Sequence, residues 1–222
     1  MAKIAIVYYS SEGHAHQVAA AYEEGARNAG AETRLRRVPE LAPDEAIASN
    51  QGWAAHLAAT QNVPEATLAD LEWADGFVFG APTRFGNMAS QMKQFIDTTG
   101  PLWAQGKLAN KAVTAFTGAM NAHGGQESSI LAFYTSMFHW GAVIVPPGYT
   151  DPRLFAAGGN PYGVSYTAPY GDPSVPPEVL EAARYSGERL ARYATVIAKN
   201  LDSLLPTPQE AREGAEAAGA EV

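Results

Sequence analysis

The 222-residue chain predicts an α/β fold: a doubly wound, five-stranded parallel sheet with helices on both faces and strand order 2-1-3-4-5. Three observations carry this. Strand-like and helix-like patterns alternate five times, and parallel strands need such crossovers. Residues 3–9 (Lys-Ile-Ala-Ile-Val-Tyr-Tyr) are almost continuously apolar, as a strand covered on both faces must be. Hydrophobic residues make up 46% of the chain against 17% charged, enough apolar surface for one large core.

The elements follow in order. After the first strand, Ser10-Ser11-Glu12-Gly13 breaks the apolar run. Val18, Tyr22, Ala26 and Ala29 then form one helical stripe, stopped at Gly30. Residues 31–38 alternate and read as a more exposed strand. Residues 39–64 have weak periodicity and several prolines, and read as an irregular excursion. A short helix is expected over 65–71. A third strand at Gly76–Gly80 leads into Ala81-Pro82-Thr83-Arg84-Phe85-Gly86. Met88, Met92, Phe95, Ile96 and Thr99 place a helix over 88–99, with Gly100-Pro101 as its stop. Lys111–Thr117 is the fourth strand. Ile130, Leu131, Tyr134, Met137 and Phe138 mark the next helix, and Ala142–Val145 the fifth strand. Residues 148–177 are rich in Gly, Pro and Tyr without a period. The last helix starts at Pro176-Pro177, where proline suits the first turn. One domain is therefore expected over 1–205, with insertions near 39–64 and 148–177. The tail, 206–222, has almost no apolar anchors and is expected to be disordered.

Composition removes several functions. There is no cysteine, so this chain alone builds no disulfide, iron–sulfur cluster or thiolate metal site. The formal net charge of −8 opposes broad binding to nucleic acid or an anionic membrane surface. No apolar run approaches the ~20 residues of a membrane helix. The first residues lack the length and cleavage site of a signal peptide, so a cytoplasmic location is expected. His14, His16, His56, His123 and His139 are scattered, and no metal site is expected from them.

Three loops should open on the same edge of the sheet, at the switch point between strands one and three. Ser10, Ser11, Glu12, Gly13, His14 and Ala15 lead into a helix N-terminus, which can hold a phosphate. The plainer alternative is a capped turn with Ser10 or Ser11 as N-cap. Pro82, Thr83, Arg84, Phe85, Gly86 and Asn87 can bond the edge of a flat heterocycle, wall it with Phe85 and bring a cation beside it, or form a turn with Asn87 as N-cap. Thr117, Gly118, Ala119, Met120, Asn121, His123 and Gly124 permit backbone contact with a flat ligand, or form an ordinary surface loop. Neither GxxxxGK[ST] nor GxGxxG is present.

Together these residues resemble a known family. The segments that carry the likeness are Tyr8-Tyr9-Ser10 with Gly13-His14, Arg37-Val38-Pro39-Glu40, Phe79 to Met88 (Phe-Gly-Ala-Pro-Thr-Arg-Phe-Gly-Asn-Met), Gln91-Met92-Lys93, Thr99-Gly100-Pro101-Leu102-Trp103, Gly124-Gly125-Gln126-Glu127, His139-Trp140-Gly141 and Ala183-Arg184-Tyr185. Over roughly residues 1–200 the chain is similar to the tryptophan-repressor-binding-protein (WrbA-type) family of flavodoxin-like NAD(P)H:quinone oxidoreductases.

The resemblance implies non-covalent FMN, its phosphate in the Ser10–Ala15 loop. Thr83, Arg84 and Phe85 would line the isoalloxazine and residues 117–124 its other edge. It implies His139 as a helper at the pyrimidine side, from the same chain or a neighbouring subunit, and Trp103 as a wall where nicotinamide and quinone take turns. It also implies a homodimer or homotetramer with flavin pockets at subunit contacts. The expected reaction is ping-pong, two-electron reduction of a quinone to a hydroquinone at the expense of NAD(P)H. Taken alone, His139 reads as a buried histidine and Trp103 as a core or interface aromatic. The open alternatives are a flavodoxin-type one-electron carrier and a flavin-free binding or scaffold protein.

The chain departs from the family twice. Glu12 stands where members carry a tyrosine that contacts the nicotinamide cofactor, and its charge is expected to oppose the cofactor's phosphates. Residues 118–123 (Gly-Ala-Met-Asn-Ala-His) replace a Ser-Thr-Gly-Thr-Gly-Gly run with bulkier side chains and fewer hydroxyls.

Overall fold

The computed structural model describes residues 1–169 and 171–205, so the expectation for the tail lies outside the described residues. Five strands form the body of the sheet: β1 (Lys3–Tyr8), β2 (Glu32–Arg37), β3 (Gly76–Arg84), β5 (Ala112–Ala119) and β6 (Val143–Ile144). They lie in the order β2-β1-β3-β5-β6, all parallel, which is the predicted 2-1-3-4-5 order once β4 (Asn87–Met88), a two-residue antiparallel partner of β3, is set aside.

The apolar run of β1 is buried on both faces because its side chains alternate between two cores. Ile4, Ile6 and Tyr8 join one with α1 (His14–Asn28) and α9 (Pro177–Leu204). Ala5 and Val7 join the other with α5 (Ser90–Asp97) and α7 (Gln126–His139). β2 is the edge strand. Arg34 and Arg36 on it reach a buried carboxylate, Asp70, at 3.1 and 3.0 Å. Asp70 also closes a capping box with Thr67 at the start of α4 (Leu68–Trp73).

On the first face α1 and α9 approach until their backbones nearly touch. A Cβ on Gly25 would lie 1.9 Å from the Arg184 carbonyl oxygen, and one on Gly187 would lie 2.2 Å from that of Tyr22. Glycine at these two places is what the crossing requires.

Several elements differ from expectation. Residues 39–64 hold two helices, α2 (Asp44–Ala48) and α3 (Gln51–Ala59). Neither shows an apolar stripe. α3 buries no residue; it forms through alanine propensity and the Asn50 N-cap, whose side chain accepts from the Trp53 N–H at 3.1 Å. The short helix begins at Leu68 rather than 65. β3 runs on to Arg84, and α5 starts at Ser90 because Met88 belongs to β4. Gly100-Pro101 opens a new helix, α6 (Gly100–Ala104), since proline is tolerated in a first turn.

Residues 148–177 also carry structure: α8 (Pro152–Ala156), capped by Asp151, and a seventh strand, β7 (Val164–Thr167). The fifth position in the sheet is thereby split. β6 pairs with Ala112-Val113 at one end of β5, and β7 pairs with Phe116–Ala119 at the other. No described helix is long and apolar enough to cross a membrane.

Replacing Gly25 or Gly187 with alanine is expected to destabilise the protein by roughly 1–3 kcal/mol each, the usual range for overpacking against backbone that cannot yield. Urea unfolding midpoints measure this, and unchanged midpoints would remove the close crossing as a constraint.

Candidate functional site

The carboxyl ends of β1, β3 and β5, together with β7, open on a cleft of about 530 Å³. Ser11, Glu12 and His14 line it from the first loop, Pro82, Thr83, Arg84 and Phe85 from the second, and Gly118, Ala119, Met120, Asn121 and Gly124 from the third. The three loops singled out in the sequence thus meet at one place, at the switch between β1 and β3.

The first loop turns through Gly13, which has φ +98° and serves as N-cap of α1. The Ser10 hydroxyl accepts from the Gly13 N–H at 3.0 Å and shapes the turn. Neither Ser10 nor Ser11 is the helix cap, and no side chain bonds the first-turn amides of α1. A helix start left in this way attracts an anion. Ala15 is buried beneath it. The His14 ring bonds the Asp172 carbonyl and stacks on Tyr166 at 6.0 Å.

The second loop is a two-residue hairpin turn between β3 and β4. Phe85 and Gly86 both have positive φ, +54° and +77°, as a type I′ turn demands. Phenylalanine in that conformation is strained, and its ring is fully exposed. Asn87 does not cap α5; its side chain accepts from the Met88 N–H, and Ala89 takes the cap position. Thr83 is tied in on the cleft side: its hydroxyl accepts from Ser129 Oγ at 2.7 Å. Thr117 is buried below, donating to the Ala81 carbonyl at 2.7 Å, and does not line the cleft. His123 is exposed beyond the rim.

His139 and Trp103 lie elsewhere in this chain. His139 ends α7, about 20 Å from the Gly124 end by helix rise. It is exposed, so the buried-histidine reading is corrected. Its carbonyl accepts from Trp103 Nε1 at 2.8 Å, and both residues line a shallow surface hollow with Thr99, Gly100 and Trp140. Neither reaches this chain's own cleft.

Three cleft residues escaped the sequence reading: Tyr166, Ala168 and Pro169. Tyr166 is buried, and its ring fills the space that a Cβ on Gly118 would take at 2.1 Å. The signal was Val164-Ser165-Tyr166-Thr167, a strand-like alternation inside a segment set aside as aperiodic. A second cavity of about 700 Å³ opens beyond Tyr166, between α7, α8 and the start of α9, and meets only the rim of the chemical loops.

Behind the cleft a carboxylate gathers five donors. Glu40 accepts from Tyr9 Oη at 2.9 Å, Trp53 Nε1 at 2.8 Å, Gln91 Nε2 at 2.7 Å and the amides of Leu41 and Ala42 at 2.9 and 3.0 Å. Burial works to raise its pKa, but the hydrogen bonds outweigh it and hold the carboxyl below its ordinary value. Tyr9 is pushed up, first by burial and then by Glu40. Beside it, Tyr8 Oη and His16 Nδ1 share a 2.7 Å hydrogen bond, and the His16 and His56 rings lie 5.6 Å apart. Burial, then the neighbouring His16 and His14, lowers His56 to about 4.

Comparison with known proteins gives the setting. The model of the NADPH-dependent FMN reductase family matches residues 2–151. A protein of Deinococcus radiodurans named NAD(P)H dehydrogenase (quinone) is 54% identical over 166 residues, 75% of this chain and 83% of that protein. One of Sinorhizobium fredii with the same name is 44% identical over 89% of this chain and all of its own. Among solved structures, a flavodoxin, WrbA-like protein from Agrobacterium tumefaciens has a TM-score of 0.63 at 24% identity, covering 88% of this chain and 99% of that one. A flavodoxin from the domain Archaea has a TM-score of 0.57 at 16% identity, covering 87% and 99%. At those identities the structures speak for the fold, which is flavodoxin-like.

Stability should fall with acid in two stages. His56 is harder to protonate folded than unfolded, so its contribution is complete above about pH 6.5 and declines toward pH 4. Glu40, depressed in the fold, contributes fully above the ordinary carboxylate range and loses that contribution as pH falls through its folded value. Unfolding free energies measured against pH should flatten in the upper window for His56→Gln and in the lower one for Glu40→Gln. Unaltered slopes would refute the assignment.

Proposed function

The chain belongs to the NADPH-dependent FMN reductase family, and on that premise we propose that it is an FMN-dependent NAD(P)H:quinone oxidoreductase, reducing quinones to hydroquinones by two electrons. One observation carries the cofactor reading: α1 begins at the cleft edge with no side-chain cap, beside a slot of a size usual for bound small molecules. The residues present fit FMN. The uncapped start of α1, with the turn through Ser10 and Gly13, suits a phosphate, and the slot between the 82–87 and 117–124 loops suits a flat ring.

In this reading the Ser10–Gly13 hydrogen bond keeps the phosphate loop in shape. Thr83, fixed by Ser129, and the backbone of 118–124 would bond the ring's edges. Arg84 would place positive charge near the ring, and Phe85 an apolar wall at its open end. FMN, when bound, would supply the redox chemistry, a two-electron exchange between the nicotinamide donor and the quinone. The protein offers a single open face, which donor and quinone occupy in turn.

Trp103 and His139 enter this reading only from a neighbouring copy. Trp103 and Phe138 are 56% and 63% exposed on a face remote from their own cleft, while Phe85 stands unpartnered at the cleft mouth. A homodimer or homotetramer in which one copy's α6 and α7 end closes another's cleft would satisfy both surfaces, with His139 as a helper at the ring. A cytoplasmic location, where NAD(P)H is supplied, completes the proposal.

The purified protein should take up FMN, turn yellow and oxidise NAD(P)H when benzoquinone is added; a bound flavin that NAD(P)H cannot reduce would sink the reading. Phe85→Gly should leave unfolding free energy within about 1 kcal/mol of the parent, since relief of strain offsets added chain entropy. The same variant should lower kcat/KM for quinone. Trp103→Ala should weaken assembly in sedimentation experiments and lower kcat/KM together.

A further inference from the structure

This inference deepens the quinone-oxidoreductase reading and rests on it. Among the described residues, the cleft through which a nicotinamide donor would enter is lined by one carboxylate, Glu12. Its partner is an amide: Glu12 Oε1 accepts from Asn50 Nδ2 at 2.8 Å, and among the described residues it forms no ion pair. An amide satisfies one oxygen's hydrogen bonding and leaves the full negative charge in place.

That charge is also held still. Asn50 uses its side-chain oxygen to cap α3 by accepting the Trp53 N–H, and the Trp53 indole donates to Glu40. Gly52 closes over the carboxylate, where a Cβ would lie 3.7 Å from Glu12 Cγ and 3.9 Å from Oε2. Swinging away from an approaching anion would break the Asn50 hydrogen bond. Among the described residues, the Arg84 and His14 side chains that line the cleft have other partners than Glu12. The Arg84 guanidinium donates to the Thr83 carbonyl at 2.9 Å, and the His14 ring is taken by the Asp172 carbonyl.

We propose that Glu12, positioned by Asn50, is the residue that sets electron-donor specificity, disfavouring donors in proportion to their negative charge. NADPH carries one more phosphate than NADH, roughly two further negative charges, so the protein uses NADH in preference. An uncharged reduced nicotinamide is indifferent to Glu12.

The test uses the full chain loaded with FMN and follows flavin reduction by NADPH, NADH and uncharged reduced N-benzylnicotinamide over a range of ionic strength. Glu12→Gln keeps the shape and an acceptor for Asn50 while removing the charge. Relative to the uncharged donor, it should raise kcat/KM about threefold for NADH and about tenfold for NADPH at low salt. Salt should raise the parent's NADPH-to-NADH ratio by screening and leave that of Glu12→Gln nearly flat. Asn50→Ala, which frees the carboxylate to turn outward, should give an intermediate ratio. A ratio equal within twofold in parent and Glu12→Gln, or a parent that prefers NADPH, would overturn the proposal. A parent whose flavin accepts electrons from no donor would instead overturn the functional reading beneath it.

Discussion

The close crossing of α1 and α9 is the constraint on which the site depends. Gly25 and Gly187 let the two backbones come within the space of a single methyl group. Arg184 bonds Glu24 across the same contact at 2.7 Å. With α1 packed against both α9 and the sheet, its N-terminus is placed at the carboxyl edge of β1. The turn through Gly13 and the uncapped amides follow from that placement. A helix held this firmly can leave its first turn without a cap, because tertiary packing supplies the stability that a cap would otherwise add.

A second layer of order comes from polar residues that tie residues 39–64 to this frame. α2 and α3 bury little, yet α3 is anchored by two carboxylates. Glu40 holds the Trp53 indole and Glu12 holds the Asn50 amide. Glu40 is well satisfied and buried enough for its hydrogen bonds to count, so it acts mainly on stability. Glu12, half-buried as Glu40 is, accepts a single hydrogen bond and lines the cleft, so in this proposal it acts mainly on what may enter. The same segment thus stiffens the back of the site and holds the charge at its front.

The split fifth position in the sheet shapes the cleft in a different way. β6 ends after two residues, the chain leaves through α8, and β7 returns to pair with the upper end of β5. Gly163 makes that return possible, since a Cβ there would lie 2.2 Å from the Ala115 carbonyl oxygen. The detour brings Tyr166 under Gly118 and against His14, closing the cleft floor with a ring that no local pattern assigned to the site.

The parallel sheet, its strand order and the meeting of three loops at one edge were all legible in the sequence. A doubly buried strand has to be an unbroken apolar run, and alternating strands and helices close in one hand only. What lacked a local signature was missed: α3, helical by propensity and a cap without a stripe; β7, four residues inside a Gly- and Pro-rich stretch; and the turn at Phe85, whose positive φ no propensity for phenylalanine suggests. The site divides along the same line. Residue types and their order determined which loops meet at the cleft. Only the tertiary structure decided which side chains face the cleft, that His139, with Trp103 beside it, stands at the far end of α7 and outside the cleft of its own chain, and that Glu12 is held by Asn50, 38 positions away. Those outcomes depend on distances between segments far apart along the chain, and no local pattern encodes them.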